Sequence, residues 1–71
     1  MGPNERIRRL LRDHGGRMSQ QAIIEQTGWS PSKTSRELCS MEQRDAIVRA
    51  PLGREKIVCL PEAAPDAMRA R

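Results

Sequence analysis

The chain has 71 residues, with 13 Lys plus Arg against 9 Asp plus Glu, a net charge of +4, one Trp, and neither Phe nor Tyr. That length holds one small domain, and its core must come from Ile, Leu, Val, Met, Ala and Trp29. Apolar runs such as Ala22-Ile23-Ile24 and Ile57-Val58-Cys59-Leu60 stop after three or four residues, far short of the roughly 20 a membrane span needs.

The start, Met1-Gly2-Pro3-Asn4-Glu5, passes directly into alternating charge with no apolar stretch, so a cytoplasmic protein is expected. Cys39, Cys59 and the lone His14 form neither a disulfide framework nor the paired spacing of a zinc site, so reduced thiols and no metal are expected.

In chain order, Ile7, Leu10 and Leu11 recur at helical spacing between Asn4 and Asp13. Asn4 is the expected N-cap, and Gly15-Gly16 the stop. The remaining positions carry Arg6, Arg8, Arg9 and Arg12, either a solvated face or a set of phosphate contacts. Arg17-Met18 reads as a connector. Ser19 then caps a second helix, Gln20 to Gln26, whose Ile23 and Ile24 need apolar neighbours, and Thr27-Gly28 ends it.

Ser30-Pro31 is the strongest local signal: a hydroxyl acceptor at the N-cap, followed by a residue with no N–H at the first helical position. The third helix runs from Pro31 to about Arg44. Thr34, Leu38 and Met41 fall on one stripe at about 100° per residue, which predicts the buried face. The opposite face holds Ser32, Arg36, Cys39 and Gln43, flanked by Lys33 and Ser40 on one side and Ser35 on the other. The period then changes. Ala46 to Ala50 and Glu55 to Leu60 are β-prone runs separated by Pro51-Leu52-Gly53-Arg54, and read as a hairpin. Residues 62–71 are poor in apolar side chains and read as a flexible tail, leaving 1–61 as the domain.

Together these elements predict a mostly α, α+β fold: a winged helix-turn-helix of three helices plus a two-stranded β-hairpin wing. Gly28 supplies the bend, and Ile23, Trp29, Thr34 and Leu38 lock the second helix to the third. Such a fold offers the third helix to the DNA major groove with its positive macrodipole end leading. Ser32 and Arg36 are the expected base readers, Arg36 gripping a guanine edge with two donors. Ser30, Pro31, Lys33 and Ser35 sit where the helix start meets backbone phosphates, and Arg54 at the hairpin tip reaches the neighbouring minor groove or backbone.

The run Gln26-Thr27-Gly28-Trp29-Ser30-Pro31-Ser32-Lys33-Thr34-Ser35-Arg36, with Met41-Glu42, Leu52-Gly53-Arg54-Glu55, Val58 and Leu60-Pro61, resembles archaeal winged helix-turn-helix transcriptional regulators, particularly those of halophiles. The likeness covers roughly residues 5 to 61. It implies that Ser30 to Arg36 open a recognition helix, that Leu52 to Glu55 form a wing turn, and that both contact DNA. Two positions depart from that pattern. Asp45-Ala46-Ile47 stands where relatives place Gly and an aliphatic pair, so Asp must make the left-handed cap, and Glu37 occupies a usually aliphatic position.

The expected function is therefore sequence-specific binding of double-stranded DNA in transcriptional regulation, without catalysis, cofactor or small-molecule ligand. No Gly-rich phosphate loop, HExxH pair or nucleophile elbow occurs. The alternative is a winged-helix module that docks an acidic protein. Nonspecific nucleic-acid or RNA binding ranks third, because stacking platforms generally use the Phe and Tyr this chain lacks. A homodimer is expected from area alone: one small module buries about 600–1,000 Å² on DNA, and a two-fold pair would span half-sites about 34 Å apart.

Overall fold

The computed structural model describes residues 2–64. The first helix, α1, spans Pro3–Asp13. Gly2, not Asn4, is its N-cap, and no side chain caps it. Pro3 at the first helical position has a preset φ and no N–H to satisfy, so the helix begins there and Asn4 falls inside it. Its C-terminus closes on two glycines. Gly16 N–H donates to Leu11 O at 2.6 Å and Gly15 N–H to Arg12 O at 3.4 Å, with φ of 93° and 77° respectively.

The expected connector Arg17-Met18 is a strand, β1, Arg17–Ser19. It pairs antiparallel with β3, Glu55–Cys59, which also pairs antiparallel with β2, Val48–Leu52. The sheet is thus three-stranded in the order β1-β3-β2, not the two-stranded hairpin expected. Three residues carry too little periodicity to announce a strand, and the partner lies some forty positions away (Met18 opposite Val58). The carbonyl of Gly16 extends this ladder by accepting from Leu60 N–H at 2.8 Å.

The hairpin is shifted from its expected limits. Ala46 and Ile47 precede β2, whereas Pro51 and Leu52 belong to it, leaving Gly53-Arg54 as a two-residue turn with Gly53 at φ 62°. Pro51 is tolerated because β2 is an edge strand.

The second helix, α2, spans Gln20–Thr27, one residue longer than expected. Ser19 Oγ caps it by accepting from Ala22 N–H at 3.1 Å, and Gly28 ends it at φ 74°. The third, α3, spans Pro31–Gln43 with Arg44 as C-cap. Asp45 takes the left-handed position at φ 58°. Its N–H donates to Glu42 O at 3.0 Å and that of Ala46 to Met41 O at 2.8 Å, the paired bonds of a Schellman ending made without glycine.

Ile7 and Leu11 of α1, Met18, Ile23, Leu38 and Met41 of α3, Ile47, Val58 and Leu60 form one core. Thr34, Leu38 and Met41 are all fully buried, so the stripe read from the sequence is the face α3 turns inward. Of the two isoleucines of α2, Ile23 is buried and Ile24 half-buried. After β3, Pro61–Ala63 form a 3₁₀ turn and Ala64 is buried. The rest of the tail expected over 62–71 lies outside the described residues. Among the described residues, no helix is long and apolar enough to cross a membrane.

Candidate nucleic-acid interface

The start of α3 is fixed by its own backbone. Ser30 Oγ accepts from Lys33 N–H at 3.1 Å, and Thr34 Oγ1 donates to Ser30 O at 3.0 Å. With Thr34, Leu38 and Met41 buried, helical geometry turns Ser32 and Arg36 outward, and both are exposed. Ser35 is half-buried beside them. No acidic residue stands in the first turn, so the partial positive charge of the helix end is unopposed there.

Pro31, Ser32, Ser35, Arg36 and Cys39 of α3 line one side of an open groove, and Gln20 of α2 and Lys56 of β3 line the other. A second recess adjoins it, sharing Gln20 and Lys56 and bordered by Arg54 and Glu55 of the hairpin with Ser19, Gln21 and Ile24. Four of the predicted site residues, Pro31, Ser32, Ser35 and Arg36, therefore share one groove, and Arg54 joins them through Lys56. Ser30 and Lys33 do not line it. Ser30 is committed to the cap, and Lys33 Nζ lies 5.0 Å from the centroid of the Trp29 ring, a cation–π contact on the flank of α3.

Trp29 packs against the core yet is only half-buried, so it serves both the scaffold and Lys33. Its backbone N–H donates to Thr27 Oγ1 at 3.2 Å, and that hydroxyl donates to Ile23 O at 2.8 Å, which ties the α2–α3 bend together.

Lys56 and Gln20 were not among the predicted site residues. Lys56 is on the same side of β3 as Val58, whose opposite neighbours are Met18 and Arg49. That side faces the helices, and the strand runs past the core far enough to set an exposed lysine beside α3. The alternation of Lys56, Val58 and Leu60 carried this signal. The identity of the helix across from it did not appear in the sequence.

Arg49 was also missed. From the helix side of β2 it donates to Glu42 Oε1 of α3 from Nε at 3.2 Å and Nη2 at 3.0 Å, and to Gln20 Oε1 from Nη1 at 3.5 Å. One guanidinium thus holds the hairpin to the last turn of α3 and the first turn of α2. A single charge inside an otherwise apolar strand was the available hint.

His14 Nδ1 lies 2.8 Å from Leu10 O at the end of α1, where its N–H satisfies a terminal carbonyl. Cys39 is exposed with Gln43 Nε2 3.9 Å from its Sγ, whereas Cys59 is buried. Burial pushes the Cys59 thiol above its ordinary value, with Arg17 partly opposing the shift. Among the described residues, no group of His, Cys, Asp and Glu is arranged to hold a metal ion.

No curated protein and no solved structure matches the chain. A match does come from the family described as "Domain of unknown function (DUF7343)", over residues 1–61. That stretch takes in α1 to α3 and β1 to β3, and the chain belongs to this family.

Proposed function

We propose that the chain is a winged helix-turn-helix domain that binds double-stranded DNA in a sequence-specific manner and acts as a transcriptional regulator. In this reading α2 and α3 are the helix-turn-helix, α3 is the recognition helix, and the β2–β3 hairpin is the wing. The element order α1-β1-α2-α3-β2-β3 and the sheet order β1-β3-β2 support it.

One observation carries the proposal. Ser32, Ser35 and Arg36, at the electropositive end of a helix braced by three buried side chains, share an open groove with Lys56, and Arg54 borders the continuation of that groove. Small hydroxyls and one arginine suit base edges, while Lys56 and Arg54 suit the flanking phosphates. Lys33, held over Trp29, takes a phosphate outside the groove. The exposed groups of the groove are chiefly hydroxyl and cationic, with Ile24 half-buried in the recess and Leu52 exposed at the end of β2, a balance that favours a phosphate-rich partner over a protein one. The domain works as a two-fold pair in the cytoplasm without catalysing a reaction, since one module of this size gives a small footprint.

Selection from randomised duplexes at stated ionic strength tests the reading. A recognition domain enriches one motif. A protein-docking module enriches none and binds duplex only weakly at physiological salt.

A further inference from the structure

The strongest charge feature that the groove does not use is the outer surface of α1. The helix holds four arginines, Arg6, Arg8, Arg9 and Arg12, and no lysine. Arg6 is occupied, donating from Nη2 to Gln26 O at 3.3 Å. Arg8, Arg9 and Arg12 are exposed and border a shallow recess with Glu5 and Asp13. The ion pair found among the described residues is Arg49 with Glu42, so none of these three is neutralised by a close carboxylate. Arg8 and Arg12 are four apart and Arg9 and Arg12 three apart, so like charges are neighbours on the helix; Glu5, three and four before Arg8 and Arg9, and Asp13, four after Arg9, offset that repulsion only in part, since three positive charges face two negative ones. An external anion relieves that repulsion.

We propose that Arg8, Arg9 and Arg12 form a second DNA-backbone surface, which takes a duplex other than the one in the α3 groove, so that one chain bridges two duplex segments. This rests on the proposed reading of α3 for the first duplex.

The chemistry of α1 selects phosphate over the other acidic partners. Guanidinium forks pair bidentately with phosphate oxygens, and the three cations of this face are all arginines, although Glu5 and Asp13 share its recess. A membrane-surface helix needs an apolar side to sink between lipids, but Ile7 and Leu11 are fully buried in the core and Leu10 packs against it. A stable protein interface needs an apolar or aromatic anchor, and the face has none. The duplex backbone needs charge alone. Both α1 and α3 turn their apolar stripes into the same core, so their polar faces look outward in different directions from a body of 30 × 26 × 22 Å.

A bridging assay with the full 71-residue chain tests this. One duplex is fixed to beads, and recovery of a second, fluorescent duplex is read. The wild type recovers the second duplex. The triple variant Arg8→Gln, Arg9→Gln, Arg12→Gln loses at least about fivefold of that recovery while its affinity for a single duplex stays within about threefold, since Gln is nearly as good a helix former as Arg. The pair Glu5→Gln, Asp13→Asn raises recovery and guards against a folding artefact in the triple variant.

Equal recovery by wild type and triple variant overturns the α1 surface. So does a wild type that binds the first duplex and recovers none of the second, and this result leaves the α3 reading standing. Sedimentation with anionic vesicles through the same three arginines, without bridging, overturns it in favour of a lipid surface. If Arg36→Ala changes nothing while the triple variant abolishes all duplex binding, the α3 reading fails and α1 is the DNA-binding face.

Discussion

Arg49 and Glu42 are joined by two hydrogen bonds to a single carboxylate oxygen, at 3.0 and 3.2 Å, across the boundary between the hairpin and α3. The arginine side chain is 18% exposed and the glutamate 41%, so water screens the pair in part. Its worth is in geometry: with Gln20 as third partner, it sets where the Arg54 tip sits relative to Arg36. Arg49→Met keeps the aliphatic stem and should cost about 1 kcal/mol, measured as a shift in urea midpoint. In duplex titrations, Arg54→Ala should then weaken binding less in the Arg49→Met background than in wild type, the coupling expected when the hairpin is no longer held in register.

Gly16 is a second test of the fold. At φ +93°, a Cβ placed there would meet Ala63 Cβ at 2.6 Å. Gly16→Ala combines a left-handed side chain with a clash against the rigid Ala63 methyl and should cost about 2 kcal/mol or more. Gly15→Ala, at φ +77° with nothing within 4 Å, should cost about 1 kcal/mol, and Gly2→Ala, at the N-cap of α1 with open space around it, only about a few tenths of a kcal/mol. Thermal unfolding of the three variants checks the order.

The three helices were legible because their signals are local: Ser19 and Ser30 as caps, Gly28 as the bend, and Thr34, Leu38 and Met41 as the inward stripe. The left-handed Asp45 followed from the resemblance, whose members place Gly at that position. What was not legible is non-local. Arg17–Ser19 has no strand pattern of its own and becomes β1 through pairing with Ile57–Cys59. Lys56 enters the groove because the sheet carries it beside α3, and Arg49 finds Glu42 and Gln20 only once three elements converge. Pro3 misled the reading of α1, since it outranks Asn4 as a helix start. Half of the groove was therefore visible in one helix, and the other half required the tertiary fold.

Cys39 and Cys59 should differ in reactivity. Cys39 is exposed on α3, whereas Cys59 is buried, with its thiol held above the ordinary value near 9.0 chiefly by desolvation. A thiol reagent at neutral pH should modify Cys39 rapidly and Cys59 only on unfolding. The sign of the pH effect follows by linkage. Above the unfolded thiol value the unfolded chain releases the Cys59 proton while the folded chain keeps it, so stability falls as pH rises through that window. Urea midpoints at pH 7 and pH 10 should separate more for wild type than for Cys59→Ala.

Salt should act strongly on duplex binding. About five phosphate contacts per protomer give a log–log slope near −4.5, and Lys56→Ala should reduce its magnitude by about 1. Ser32→Ala should leave the slope unchanged while altering the preferred sequence. Titrations between 50 and 200 mM salt, expected to span about two to three decades in affinity, check both.

The account turns on Arg36, the exposed guanidinium in the middle of the groove. The most direct measurement is the affinity of Arg36→Ala for the selected duplex and for single-base variants of it, at one fixed salt concentration. The account predicts a loss of about 1–3 kcal/mol, roughly 5- to 150-fold, with discrimination relaxed at one base position and retained at the others. Unchanged affinity with an unchanged preference at every position would contradict it.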